Sequence, residues 1–385
     1  MIPADTKWVN NPAARRVFHA VLAGGFDIFF VGGCVRNALL GEEDSDVDMS
    51  TNARPPDVIR LADVAGLKAI PTGIEHGTIT VVANGVAFEV TTFRRDVETD
   101  GRRAVVAFSN DISDDARRRD FTMNALYADL DGNIFDPLGG LPDLLARRVR
   151  FIEDAEQRIK EDYLRILRFF RFSAWYADQS VGFDAETLAG IAANTSGLET
   201  LSAERIGQEI TKLLGAPNPA PAVAVMRQIG VLPIILPGAD DRWLGPLVHL
   251  ESAMKVAPEW QTRLAVLGGA DTAMRLRLSN ADARRIAFLQ DQGFAGAPLA
   301  EIAYRNGEDA ALQVMLMRAA MAESMPEATV IDTISSAAVA VFPLKAADLM
   351  PEFQGPALGA RLKTLEAAWI ASGFTLTAEA LFAIP

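Results

Sequence analysis

The sequence predicts an α+β fold in which a mixed head is followed by a long run of helices. Strand patterns occur early, in the buried run DIFFVGG (27–33) and in the two β-branched runs of residues 76–94. From Asp154 onward nearly every segment has helical periodicity, interrupted by clusters of proline and glycine. We therefore predict three parts: a head at 1–145, a helical neck at 146–215, and a helical body and tail at 216–385.

Composition limits the classes of protein to consider. Half of the 385 residues are hydrophobic and 23% are charged, which is enough for a sizeable core. A single cysteine, Cys34, excludes an internal disulfide. The net charge of −13 argues against a broad basic surface. No apolar run approaches the roughly 20 residues of a membrane helix, and the N-terminus does not resemble a secretory signal. We therefore expect a cytoplasmic protein with no membrane segment.

The head is predicted as alternating helices and strands. Glycine and proline mark the ends of several elements, because Gly41 can close a helix and Pro55-Pro56 can open one. The predicted elements are a helix in 1–25, a strand at 27–33, a helix at 35–41, a strand at 46–50 and a helix from Pro55 to about Gly66.

The remainder of the head is predicted from turn chemistry and periodicity. Asn84-Gly85 between two β-branched runs predicts a hairpin over 76–94. The polar residues 96–114 predict a mobile loop, and the periodicity of 114–130 predicts a helix before an Asp131-Gly132 turn.

Two aspartates are the most informative chemical feature. Asp46 and Asp48 are separated by one residue in a predicted strand, so both side chains are expected on one face. Paired carboxylates of this kind can hold Mg²⁺ together with substrate phosphates. Two solvated aspartates on an edge strand are the alternative, and the preceding segment decides against it. There Gly32-Gly33 ends a strand just before a helix, where backbone N–H groups favour an anion, and Arg36 adds a cation.

Two further groups of residues could take part in the same chemistry. Glu89 is a third acidic candidate if the hairpin lies beside Asp46 and Asp48. In RRDFTMNAL, Arg119 can contact a triphosphate and Asp120 can accept a hydrogen bond from a ribose hydroxyl. An ordinary charged first turn of a helix is the alternative for that pair.

The helix EDYLRILRFFRF (161–172) carries a second cluster. Asp162, Arg165, Arg168 and Arg171 recur at every third residue, between apolar positions that can pack inward. An Asp and an Arg together can present a hydrogen-bonding edge to a base, and further arginines can hold phosphates. A salt-bridged surface stripe is the alternative.

Taken in order, these motifs resemble a known family. The segments VGGCVRNALLG, DSDVDMSTNARP, RRDFTMNAL, DPLGG, EDYLRILRFFRF and AERIGQE are similar to the ordered motifs of class II tRNA nucleotidyltransferases, the CCA-adding enzymes, and of bacterial poly(A) polymerases. The resemblance covers about residues 28–212. It implies a polymerase-β-like nucleotidyltransferase head followed by an all-helical neck, body and tail. One departure is Asn37, where family members commonly have Asp.

The resemblance also implies roles for individual residues. Asp46 and Asp48 would bind Mg²⁺. Glu89 is a further catalytic candidate on its position in the hairpin and not on the resemblance, with a solvated glutamate as the alternative. The nucleotide would be contacted by Gly33, Arg36, Arg119, Asp120, Asp162, Arg165, Arg168 and Arg171, of which Asp162 and Arg165 would recognise the base. The implied activity is template-independent addition of CCA to the 3′ end of tRNA from CTP and ATP. The alternatives are a poly(A) polymerase, an enzyme adding only C or only A, and a non-enzymatic RNA-binding protein. DPLGG is either a hinge or an ordinary turn.

Overall fold

The structure is a computed structural model of the chain and describes residues 1–42, 46–100 and 103–385. The DSDVDMST motif is therefore described from Asp46 onward, and the predicted loop at 96–114 is described without residues 101–102. The chain divides into two compact units, Met1–Glu209 with Gln228–Ile234, and Ile210–Arg227 with Ile235–Pro385.

The first unit contains all nine strands of the described chain and most of the helices that carry the motifs. The strands are β1 (Ile28–Val31), β2 (Asp48–Thr51), β3 (Lys68–Gly73), β4 (Thr78–Ala83), β5 (Val86–Thr92), β6 (Arg94–Asp100), β7 (Arg103–Phe108), β8 (Tyr127–Ala128) and β9 (Ile134–Phe135). The helices are α1 (Pro12–Ala23), α2 (Gly33–Leu40), α3 (Pro55–Val64), α4 (Ile112–Arg117), α5 (Leu141–Leu145), α6 (Ala155–Glu161), α7 (Leu164–Tyr176) and α8 (Ala185–Ala193), followed by α9 (Ala203–Leu214).

Seven strands form one mixed sheet in the order β3-β4-β5-β2-β1-β8-β9. The β2–β5 pair is parallel and the other neighbours are antiparallel. Phe30 of β1 packs against Phe18 of α1 with ring centroids 4.3 Å apart. Because Phe30 pairs with Met49, the buried Met49 lies on this helix-covered face and Asp48 lies on the opposite one. The Asp48 side chain, at the start of β2, therefore projects from the face of the sheet that α1 does not cover.

Several predictions from local sequence are confirmed. Helices occur at α1, α2 and α3, and Gly41 ends α2 with a left-handed backbone. The hairpin forms as β4 and β5, with positive φ at both Asn84 and Gly85 as the two-residue turn requires. Every regular element after Asp154 in the described chain is a helix.

Three local predictions are wrong and one strand was not predicted, because pairing between strands decides the outcome in each case. The strand predicted at 46–50 begins only at Asp48, which pairs with Val31, the last residue of β1 before the chain turns into α2. Strand β3 was not predicted and forms by pairing with β4. Residues 94–100 and 103–108 pair as the β6–β7 hairpin where a loop was expected. The helix predicted at 114–130 ends at Arg117, and Tyr127 joins the sheet beside β1.

The second unit is helical. Its helices are α10 (Ala220–Gln228), α11 (Val231–Ile235), α12 (Leu244–Met254), α13 (Trp260–Leu267), α14 (Thr272–Arg275), α15 (Asn280–Ala295), α16 (Leu299–Asn306), α17 (Glu308–Met321), α18 (Ala328–Ala338), α19 (Gly355–Ala371) and α20 (Ala378–Phe382), of which the last residue of α10 and most of α11 are grouped with the first unit.

A buried ion pair joins two helices of this unit. Arg263 on α13 contacts Glu251 on α12 at 2.7 Å, and both side chains are almost fully buried. The Arg263 guanidinium also donates to the carbonyls of Leu214, Ala216 and Pro217. Toward the end of the chain, Trp369 packs edge-on against neighbouring aromatic rings in a separate apolar cluster. Within the described residues, no helix has the length and apolar character needed to span a bilayer.

Candidate active site

The start of β2 brings two carboxylates side by side. Asp48 pairs in register with Glu89 of the parallel strand β5, and both side chains are exposed. In-register neighbours on adjacent strands lie about 4.8 Å apart and project from the same face. Met49 and Val90, the next pair, are fully buried on the other face. The hairpin therefore lies beside Asp48, which is the condition under which Glu89 was predicted to join the site.

Asp46 contributes from outside the sheet. It precedes β2 and does not share a strand with Asp48, contrary to the sequence prediction. The reason is that β1 ends opposite Asp48, so residues before Asp48 lack a pairing partner on that side. Asp46 is exposed and still close enough for its charge to act on Asp48.

The local electrostatics favour a cation at Asp48. Desolvation and the neighbouring carboxylates of Glu89 and Asp46 raise the pKa of Asp48 to about 6, while Arg119 opposes the shift. In the described chain no ion pair is formed by any of these three acids. No group of three His, Cys, Asp or Glu side chains forms a metal cage among the described residues. A carboxylate pair completed by substrate phosphates is the arrangement typical of Mg²⁺, and these hard oxygen donors fit that ion.

A glycine turn places a helix N-terminus next to the acids. Gly32 follows Val31, the partner of Asp48, and adopts φ +72° and ψ −119°, a conformation that only glycine adopts readily. A Cβ there would lie 3.2 Å from Nη1 of Arg119. Helix α2 begins at the next residue, Gly33, so its free N–H groups form an anion-favouring end close to Asp48.

Buried acceptors hold the Arg119 side chain in place. It pairs with the buried Asp115 at 3.0 Å and donates to the Tyr127 hydroxyl at 3.3 Å. A longer contact of 3.5 Å reaches Ser50 in β2. Burial would lower the pKa of Arg119, but Tyr127 and Asp115 outweigh it and keep the pKa above its ordinary value. Arg119 is therefore a permanent cation held next to Gly32 and Asp48.

Arg36 and Asp120 are both buried rather than open to solvent. Arg36 donates to Asn37, Asn124 and the Tyr176 hydroxyl. Asp120 accepts from Asn124 and from Arg168 at 2.7 Å, so its two oxygens already have partners. Burial alone would raise the pKa of Asp120, but Arg168 and Asn124 hold it below its ordinary value.

The predicted base-recognition residues pair with other side chains and not with each other. Asp162 accepts from Arg205 on α9 at 2.6 Å. Arg165 contacts Glu161 at 2.6 Å and donates to the carbonyl of Arg158. The structure therefore does not join Asp162 and Arg165 as a couple.

The two remaining arginines of α7 meet a residue that was not predicted. Glu209 on α9 accepts from Arg171 at 2.5 Å and lies 3.7 Å from Arg168. Glu209 lies on the inner side of the amphipathic helix AERIGQEITKLL, and this position could have identified it from the sequence. Asn124 lies in a quoted motif but was given no role, and nothing in the sequence singles out Tyr176.

The DPLGG segment is a capped turn. Asp136 accepts from the backbone N–H groups of Gly140 and Leu141 at 2.7 and 2.9 Å. A Cβ on Gly140 would overlap the carbonyl of Thr122, so glycine is needed there for close backbone approach. This geometry favours the turn interpretation over a freely moving hinge.

Comparisons with known proteins agree with this architecture. Residues 28–150 match the family model described as the Poly A polymerase head domain, and residues 182–242 match the probable RNA and SrmB- binding site of polymerase A. CCA tRNA nucleotidyltransferase 1, mitochondrial, of Mus musculus is 43% identical over 210 residues, covering 54% of this chain and 48% of that protein. A CCA-adding enzyme of Geobacillus thermodenitrificans is 39% identical over 226 residues, covering 57% and 54%. The chain thus matches about half the length of these curated relatives.

Solved structures extend the similarity along the chain. The Bacillus stearothermophilus CCA-adding enzyme in complex with CTP has a TM-score of 0.70 at 27% identity, covering 94% of this chain and 92% of that one. The Thermotoga maritima CCA-adding enzyme complexed with tRNA has a TM-score of 0.68 and shares the fold at 18% identity, covering 95% and 92%.

The carboxylate-bearing sheet with its glycine turn defines a nucleotidyltransferase head of the polymerase-β type, followed by helices. With the matches above, residues 28–150 carry the Poly A polymerase head domain, and the chain is similar to CCA-adding enzymes.

Proposed function

We propose that this chain adds CCA to the 3′ end of tRNA without a nucleic-acid template, using CTP twice and then ATP once. The observation that carries the proposal is the position of Asp48 next to Glu89, directly opposite the residue that leads into Gly32 and the start of α2. This arrangement joins carboxylates for a metal to an anion-binding helix end, as transfer of a nucleotide requires. The names of the relatives, and a solved relative bound to CTP, support CCA addition as the particular reaction.

In the proposed reaction the 3′ oxygen of tRNA attacks the α-phosphorus of the nucleoside triphosphate. One O–P bond forms, the O–H bond of the attacking hydroxyl breaks as its proton passes to solvent, the bond from the α-phosphorus to the bridging oxygen breaks, and pyrophosphate leaves. Asp46 and Asp48 would hold Mg²⁺, which supplies charge neutralisation at the phosphates and a more acidic attacking hydroxyl when bound. Glu89 would add negative charge beside Asp48 and strengthen that cation site.

The remaining residues would bind and orient the nucleotide. Gly33 offers its backbone N–H and Arg119 a fixed cation near the triphosphate. We assign base recognition to Asp162 and Arg165, which first requires exchange of their present partners Arg205 and Glu161. The remaining proposed contacts are Arg36 and Asp120 near the sugar and phosphates, and Arg168 and Arg171 on α7.

The three predicted parts receive separate tasks in this proposal. Residues 1–145 carry the transfer chemistry, 146–215 recognise the base, and 216–385 bind tRNA. We place the activity in the cytoplasm, as for a bacterial enzyme of this family.

The test is incubation of the purified chain with Mg²⁺, a tRNA lacking its terminal CCA, and each nucleotide alone or combined. CTP alone should add two residues, and CTP with ATP should add three and stop. Asp48→Asn should abolish incorporation, whereas Asp57→Asn removes a partly exposed carboxylate on α3 that pairs with Arg60 and should not. Long tails from ATP alone would indicate a poly(A) polymerase, and one-nucleotide specificity would indicate a C-only or A-only enzyme. Binding without incorporation would indicate a non-enzymatic RNA-binding protein.

A further inference from the structure

Arg36 is held in a buried cage of uncharged groups. Its Nη1 donates to Oδ1 of Asn124 at 2.5 Å, its Nη2 donates to the Tyr176 hydroxyl at 2.9 Å, and both Nε and Nη2 donate to Oδ1 of Asn37 at 3.1 and 2.9 Å. The guanidinium also lies over the ring of Tyr176 at 4.1 Å and that of Phe172 at 5.1 Å. The residue is 6% exposed. These contacts fix the guanidinium in position and orientation.

This cation has no carboxylate partner among the described residues. Asp120, whose charge acts on Arg36, pairs with Arg168, and Glu209 pairs with Arg171. These five side chains, of which Arg168 is 31% exposed, comprise three arginines and two acids, so Arg36 has no carboxylate counter-charge among them. A buried charge without a counter-ion costs free energy, and an anion arriving beside it recovers part of that cost.

The cage draws on three separate elements. Asn37 lies on α2 with Arg36, Asn124 lies in the 3-10 turn Thr122–Asn124, and Tyr176 ends the neck helix α7. Because Asn37 is neutral, it accepts two hydrogen bonds from Arg36 but supplies no counter-charge, and Asn124 and Tyr176 accept the other two. The orientation of a cation on the nucleotide-binding helix thus depends on the neck.

We propose that Asn124 and Tyr176 are positioning residues that hold Arg36 ready for the phosphates of the incoming nucleotide. This inference rests on the proposed function and extends it, since it ties the nucleotide site in the head to the last turn of α7. It also assigns a consequence to Asn37. A carboxylate at position 37 would pair with Arg36 within α2 and make the cation independent of Tyr176.

The test is a rescue experiment on CTP use. Tyr176→Phe keeps the ring over Arg36 and removes the hydroxyl acceptor, so the KM for CTP and the Kd for CTP should each rise roughly ten-fold, with kcat changed less than about two-fold. Asn37→Asp combined with Tyr176→Phe should return both constants to within about two-fold of wild type. Tyr304→Phe removes a hydroxyl bond to Glu366 in the second unit and should leave the Kd for CTP unchanged.

The outcomes separate this inference from the proposed function. A wild-type chain that neither binds CTP nor extends tRNA overturns both. If the wild type does both and Tyr176→Phe matches it, the inference alone is overturned. It is also overturned if Tyr176→Phe loses CTP affinity and Asn37→Asp fails to restore it, because the hydroxyl then serves the fold and not Arg36. Thermal unfolding of each variant shows whether a loss of stability accompanies the loss of affinity.

Discussion

Replacing Arg168 with methionine would leave the Asp120 carboxylate buried without its cation. Asp120 accepts from Nε of Arg168 at 2.7 Å, and the same oxygen forms the ion pair with Nη2. The Asp120 side chain is 8% exposed and that of Arg168 is 31% exposed. Removing one partner of a buried pair costs about 3–5 kcal/mol, since the remaining charge stays desolvated. We expect Arg168→Met to lower the free energy of unfolding of the first unit by that amount at neutral pH.

The loss should depend on pH in a defined direction. In the wild type, Arg168 holds the pKa of Asp120 below its ordinary value, so the pair contributes stability above about pH 4 and loses it as the pH falls further. In Arg168→Met, burial raises the pKa of Asp120. As the pH falls, protonation of Asp120 then removes the buried charge and with it the loss of stability. The difference between the two proteins should therefore shrink between about pH 7 and pH 4.

Hydrogen exchange of the α7 amides measures this difference without relying on one transition for both units. The matched control is the double variant Asp120→Asn with Arg168→Met, which removes both charges and should recover most of the lost stability. A loss below about 1 kcal/mol, or a loss of equal size at both pH values, would refute the buried-charge reasoning. The pair would then contribute no more than a surface ion pair.

Three further predictions concern other contacts, at Asp48, Gly140 and Arg263. In the metal-free protein, carboxyl NMR should show Asp48 titrating near pH 6, and Glu89→Gln should lower that pKa by removing a like charge; a wild-type pKa near 4 would contradict the site electrostatics. Gly140→Ala forces a Cβ onto the carbonyl of Thr122 and should cost about 1–3 kcal/mol in equilibrium unfolding, so an unchanged midpoint would restore the hinge interpretation. Arg263→Met leaves Glu251 buried without its cation and should destabilise the second unit by about 3–5 kcal/mol. If hydrogen exchange of α13 stays as slow as in the wild type, the ion pair is dispensable for stability.

The arginines of the neck show where function and stability overlap. Each of Arg165, Arg168 and Arg171 has an acidic partner within the first unit, so a salt-bridged arrangement and a ligand-binding one use the same residues. In the proposed function, a nucleotide would compete with these acids for the guanidinium groups. Substitutions here should therefore be assayed for unfolding and for nucleotide affinity together.

The sequence by itself determined the local elements and the main chemical groups of this protein. The Asn84-Gly85 turn, the Gly41 helix end and the helical periodicity after Asp154 were all predictable, because turn chemistry and amphipathic spacing are encoded within a few neighbouring residues. The glycine turn before α2 and the acidic residue Asp48 were predictable for the same reason.

Only the tertiary structure decided which of these groups meet. Glu89 became a neighbour of Asp48 because β5 pairs in parallel with β2, and β6 and β7 formed by pairing with each other in a polar segment. Similarly, Arg36 reached Tyr176 through the packing of α7 against the head. Strand register and the partner of a buried charge depend on residues from distant parts of the chain, so local periodicity carries no information about them.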